Sequence, residues 1–143
     1  MRFSLLEGFE KYDMLLVAVV IGDKRLIFVL DSGATHNHIA SFVYDALKEH
    51  FTSTDQKVGV VGIEGNVSYQ EMVAADVIMG EVCSETIFSV TDMDNVVQNI
   101  MNESGIQIHG LLGVPFLREN NCSIDFGKME IEIAGPEQFK EAV

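Results

Sequence analysis

Leu26-Ile27-Phe28-Val29-Leu30-Asp31-Ser32-Gly33-Ala34-Thr35 is the stretch on which the reading of this chain turns. An apolar strand delivers a carboxylate to its end, a small hydroxyl residue follows, and glycine and alanine close the run. Glycine permits a turn without the cost of a Cβ and lets another backbone approach closely. Ser32 can donate or accept a hydrogen bond that ties the loop down. Such a run holds Asp31 rigidly at the edge of a packed sheet. The tripeptide alone also allows a blander reading, in which Asp31 starts an Asx-turn between a strand and a helix.

Outward from this stretch the pattern is mostly β. Residues 14–21 and 25–30 are dense in Val, Ile, Leu and Phe, and Gly22-Asp23 between them reads as a tight hairpin. A short extended piece follows Gly33, then a helix over 41–49 with Ser41 as N-cap and Val43, Ala46 and Leu47 at helical spacing. Strands are predicted at 57–61, 67–77 and 82–90, the first two joined by the turn-rich Gly62-Ile63-Glu64-Gly65-Asn66. Residues 91–102 read as a helix with Thr91 and Asp94 as a capping pair. An extended segment at 106–112, a helical turn opened by Pro115 and a hairpin around Gly127-Lys128 complete the chain.

Composition narrows the classes. A chain of 143 residues reads as one domain spanning 1–143. At this length about 70% of the unfolded surface is buried on folding, so no disulfide or metal staple is needed. The net charge of −13, with 9 Lys and Arg against 22 Asp and Glu, repels phosphate backbones and anionic lipid. Neither a nucleic-acid partner nor a membrane surface is expected. The longest apolar run, 14–21, is far too short to cross a bilayer. Glu7 and Glu10 interrupt any signal-peptide core, and Cys83 and Cys122 read as reduced, buried thiols, so a cytoplasmic address is expected. Met1 suggests a stand-alone product.

Two motifs in the right order give the sequence a family resemblance. Asp31-Ser32-Gly33-Ala34 resembles the catalytic motif of the retropepsin-like aspartic proteases, the single-domain enzymes of retroviruses and retrotransposons. The continuation Thr35-His36-Asn37-His38-Ile39-Ala40 resembles the retrotransposon version, with His38 where an aromatic commonly stands. Downstream, Gly110-Leu111-Leu112-Gly113-Val114-Pro115-Phe116-Leu117 resembles the second signature, two apolar residues, glycine and a short helix, and Cys122-Ser123-Ile124-Asp125-Phe126 the strand after it. The segment Val61-Gly62-Ile63-Glu64-Gly65 lies where the family has its glycine-rich flap tip. The resemblance covers roughly residues 14–133. Pro115 replaces an often polar position, and residues 91–105 form a longer insertion than compact members carry, so substrate preference does not transfer.

The resemblance implies a closed, mostly β retropepsin-like barrel with short helices that works as a homodimer. It implies aspartic endopeptidase chemistry on a peptide or protein substrate, with no cofactor and no metal. Asp31 is the expected catalytic residue. Ser32, Gly33, Ala34 and Thr35 support its loop, Gly62, Ile63, Glu64 and Gly65 form the flap over the substrate, and Leu111, Leu112 and Gly113 form the second signature. A dimer that kept the fold without proteolysis and serves as a peptide-binding module is the alternative, and a monomeric β-barrel binder of small ligands a further one. Asp125-Phe126-Gly127 lacks every companion of a kinase metal motif and reads as a hairpin turn. His36-x-His38 puts two imidazoles on one face of an extended strand, but no third ligand stands at a recognisable spacing. Gly59-x-x-Gly62-x-x-Gly65 has the wrong spacing for a dinucleotide fingerprint.

Overall fold

A computed structural model describes residues 1–61 and 65–136. The apolar stretch folds as anticipated. Strands β2 (Leu16–Ile21) and β3 (Lys24–Leu30) form an antiparallel hairpin in register from Leu16↔Val29 to Ile21↔Lys24. Alternation along each strand buries Val17, Val19 and Ile21 against Leu26, Phe28 and Leu30. Phe28 is fully buried, a placement that stabilises the fold by roughly 2–3 kcal/mol. Its ring meets that of Phe88 with centroids 5.7 Å apart.

The remaining strands build on this hairpin. They are β4 (Asn37–Ala40), β5 (Thr52–Val61), β6 (Val67–Met79), β7 (Val82–Thr91) and β8 (Gly110–Leu112). The sheet order is β2-β3-β8-β4-β7-β6-β5, and a single bridge, Val20↔Ile78, brings β2 back against β6. A second sheet packs β1 (Arg2–Ser4), β10 (Glu130–Ile133) and β9 (Cys122–Asp125) in that order. Its inward residues Ile131 and Ile133 join the same apolar core.

Strand β8 positions everything that follows. It lies between β3, which it pairs in parallel (Phe28↔Gly110, Leu30↔Leu112), and β4, which it pairs antiparallel (Ile39↔Gly110). This slot is tight. A Cβ on Gly110 would collide with His38 O and stand 2.7 Å from Phe28 Cε2.

Several expectations need correction. Helix α1 (Leu6–Tyr12) and β1 were not anticipated; α1 buries none of its residues, so it carries no apolar periodicity to read. Helix α2 (Ser41–Ala46) stops short of residue 49 and passes through Leu47 into a 3₁₀ turn, Lys48–His50, and Ala40 rather than Ser41 is its N-cap. Thr91 belongs to β7, so helix α3 (Asp94–Ser104) is not capped by a Thr91/Asp94 pair; Asp92 Oδ1 accepts the Asp94 N–H instead. Cys83 is exposed, because the alternation of β7 turns Ser84 inward and Cys83 out. Helix α4 (Val114–Glu119) starts at Val114, one residue before the proline, and the Asp125–Lys128 turn is the expected hairpin, closed by Lys128 N–H to Asp125 Oδ1 at 3.0 Å.

The Gly110→Ala substitution tests the slot. With backbone on one side and a buried ring on the other, it should cost about 3 kcal/mol. Urea denaturation should show a lower midpoint with an unchanged slope. A stability equal to wild type would contradict the threading of β8.

Candidate active site

Asp31 is the first residue beyond β3, and the backbone around it is fixed. Its N–H donates to Leu112 O at 2.9 Å, pinning the Cα to the last residue of β8. Its own carbonyl accepts the Ala34 N–H at 3.1 Å. Its Oδ1 accepts the Gly33 N–H at 2.9 Å. The blander reading of the tripeptide is thus also true: Asp31 does make an Asx-turn. The turn engages one carboxylate oxygen, and among the described residues no hydrogen bond reaches the other. Asp31 and Ala34 are half-buried, and Ser32, Gly33 and Thr35 are exposed.

The loop rests on the second apolar-apolar-glycine segment. Val114 N–H donates to Ala34 O at 3.0 Å, and Gly113 N–H donates to Asn37 Oδ1 at 2.8 Å. Asn37 Nδ2 donates in turn to Ile87 O at 3.1 Å, so one side chain, 2% exposed, joins β4, β7 and the turn after β8. Gly113 has no room for a side chain: a Cβ would stand 2.5 Å from His36 O and 2.7 Å from Ala34 O. Leu112 is buried and Leu111 half-buried. These residues are the floor of the loop, and Asp31 and Ser32 stand above it.

The profile of the family described as aspartyl protease matches residues 17–116, which is most of the chain and includes every residue of this floor. The chain belongs to the aspartyl protease family. No curated protein matches the sequence. Among solved structures it is similar to EIAV protease complexed with the inhibitor HBY-793, at 19% identity and a TM-score of 0.56, covering 79% of this chain and 93% of that one. It is also similar to the retroviral protease-like domain of Ddi1 from Leishmania major, at 17% identity and a TM-score of 0.57, covering 84% and 87%. The fold is that of a retropepsin-like aspartic protease, mostly β with short helices.

In this member of the aspartyl protease family the two motifs meet through the Asp31–Leu112 and Ala34–Val114 backbone bonds. Of the residues expected to form a flap, Gly62, Ile63 and Glu64 lie outside the described residues. Gly65 adopts φ +84°, which only glycine takes without strain, and nothing stands within 4 Å of where its Cβ would be. On either side of this segment in sequence, Val61, Val67 and Tyr69 are exposed, Tyr69 at 76%. A cleft of about 990 Å³ adjoins the loop at Thr35 and runs along Pro115 and Arg118 of α4 to Glu85 and Cys83.

Two further polar residues, Asn37 and His109, hold the site's surroundings in place. Asn37 carried a signal: it shares the inward face of β4 with buried Ile39, and a buried amide needs partners. His109 gave none. The Ile27 N–H donates to its Nδ1 at 2.9 Å while its own N–H donates to Ile27 O, so one residue satisfies both backbone groups of Ile27. Burial lowers its pKa from the usual histidine value. His36 and His38 do share a face, with ring centroids 6.3 Å apart. The pKa of His38 is lowered by burial first and His36 second, with the Asp31 carboxylate pulling the other way.

The Asn37→Ala substitution leaves the buried Gly113 N–H without an acceptor and should cost about 2–3 kcal/mol. Thermal unfolding checks it, and an unchanged midpoint would mean the amide does not hold the floor.

The histidines set a second expectation. Both bind protons less readily folded than unfolded, so below the unfolded value of about 6.5 the unfolded chain holds more protons. Stability should therefore fall as pH drops from about 6.5 through the lowered folded values, with no contribution above that window. A His38→Gln, His109→Asn variant should lose less stability than wild type between pH 7.5 and 5.5 in chemical denaturation. Equal losses would contradict the lowered values.

Proposed function

We propose that this protein is an aspartic endopeptidase whose active site forms between two copies of the chain, each supplying Asp31. The supporting observation is the carboxylate itself: held at a strand end by backbone bonds to the second signature, it keeps one oxygen clear of the turn that fixes the other. The chain has one Asp-Ser-Gly, and hydrolysis by carboxylates takes two, so an isologous dimer is required. Both outer strands of the three-stranded sheet, β1 and β9, have a free edge among the described residues, which a partner's strand can pair.

In this reading one carboxylate accepts a proton from water as the oxygen attacks the peptide carbonyl carbon. The other, protonated, gives its proton to the carbonyl oxygen. Collapse of the diol breaks the C–N bond, and the amine leaves with a proton. Two carboxylates about 3 Å apart cannot both ionise, a property long established for aspartic proteases, so they share one proton. Ser32 braces the paired loops. Residues 62–65 close as a flap over an extended peptide or protein substrate, which adds to the hairpin as a strand would. The Val20–Ile78 bridge supports taking the sheet as a closed barrel and the chain as one domain, 1–143. Among the described residues no helix is long and apolar enough to cross a membrane. We take the address as cytoplasmic, with the two cysteines free.

Sedimentation at micromolar concentration should give twice the chain mass. Cleavage of a peptide library should follow a bell-shaped pH profile with its optimum at about pH 5–6, since either loss or gain of the shared proton stops the reaction. Asp31→Asn should abolish cleavage and leave the dimer intact. A strict monomer with full activity, or wild-type rates from Asp31→Asn, would overturn the mechanism. A dimer that cuts nothing but binds peptides would assign the fold to binding instead.

A further inference from the structure

The β6–β7 ladder ends before either strand does. It runs in register from Met79↔Val82 to Met72↔Ser89, and there the main-chain pairing stops. Beyond that point β6 continues with β5 alone, where Gln70 pairs with Val58 and the two strands carry the flap segment. The hairpin therefore leaves the sheet at Met72, and side chains take over at the point of departure. Gln70 Oε1 accepts hydrogen bonds from Thr91 Oγ1, at 2.8 Å, and from the buried Ser89 Oγ. Thr91 Oγ1 also lies 2.8 Å from His38 Nδ1.

Proton counting orders this chain. An amide oxygen only accepts, so both hydroxyl protons point to Gln70 Oε1. Gln70 Nε2 faces away and donates to Ser68 Oγ at 3.5 Å. A hydroxyl has a single proton, and Gln70 Oε1 at 2.8 Å is a nearer acceptor for it than Ser89 O at 3.3 Å, so Thr91 gives it to Gln70 and accepts from His38. The ring proton of neutral His38 therefore sits on Nδ1. Imidazolium also donates from Nδ1, so the bond does not depend on which form is present.

His38 lies on β4, seven residues past Asp31, and is held between Leu111 of β8 and Ser89 of β7. The polar chain thus runs from the strand that leaves the catalytic loop, across the end of β7, to the strand that carries the flap. We propose that His38, Thr91 and Gln70 are positioning residues: a latch that sets how far the β5–β6 hairpin stands from the Asp31 loop. None of them is asked to touch the reacting atoms. The latch rests on the protease reading for its purpose, since a hairpin at a fixed height over two carboxylates grips an extended peptide.

Two measurements test the latch without turnover. In wild type, the ¹⁵N shifts of His38 should report the Nδ1–H tautomer at neutral pH. Amide exchange across 68–72 should rise about tenfold in Thr91→Val, which keeps the shape and removes the hydroxyl, while the amides of β2 and β3 stay within twofold. Thr91→Ser should restore wild-type exchange. Gln70→Leu, at a partly exposed position, should reproduce the Thr91→Val effect and guards against a folding defect at residue 91. In peptide cleavage, Thr91→Val should raise KM about tenfold with kcat within threefold. An Nε2–H tautomer, exchange at 68–72 within twofold of wild type in both variants, or a lowered kcat at constant KM would overturn the latch. Wild-type cleavage by Asp31→Asn would overturn the protease reading and leave the exchange and tautomer results standing.

Discussion

One backbone hydrogen bond, Asp31 N–H to Leu112 O, joins two segments that are 81 residues apart in sequence, and the site has no geometry without it. It forms only because β8 slides between β3 and β4, and β8 can do so only because Gly110 and Gly113 have no side chains. Asn37 then closes the arrangement from beneath, its Oδ1 taking the Gly113 N–H and its Nδ2 giving a proton to Ile87 O of β7. A buried amide that satisfies one strand and a turn together rigidifies more than its net energy of about 1 kcal/mol per bond suggests, since breaking it strands its partners as well.

Rigidity at the floor contrasts with the hairpin above it. Strands β5 and β6 lie in register over 57–61 and 67–71, yet their outer residues are exposed and a bulge with Asp55 at φ +58° separates this arm from the lower pairing. Few apolar contacts and exposed backbone bonds are the physical content of an element that opens. On the proposed reading, the Asp31 carboxylate sits on the packed part, and the hairpin that would admit a peptide is the part with little burial.

Charge adds a further constraint. The chain is strongly acidic, so lowering the pH relieves the self-repulsion that would oppose the proposed dimer. Acid also works against the fold through His38 and His109, whose neutral forms the structure prefers. The proposed shared carboxylate proton calls for mild acidity, against which the two histidines set a cost in stability.

Alternation of Val, Leu and Phe about Gly22-Asp23 determined the β2–β3 hairpin by itself, because a two-residue turn fixes register locally. The Asp-Ser-Gly and Leu-Leu-Gly motifs were legible for a similar reason: glycine is required wherever backbone meets backbone, and it leaves a mark in the sequence. Helix α1, which buries nothing, left no pattern to read. Thr91 looked like a helix cap because its neighbours in sequence suggested one, but its hydroxyl is spent on His38 and Gln70, which come from other strands. His109 left no mark in the sequence either, yet it completes a ladder with Ile27, 82 residues away. Local periodicity and turn chemistry are written along the chain; which donor meets which acceptor across it is decided only when the strands stack, because hydrogen bonds act over about 3 Å of space and carry no memory of sequence distance.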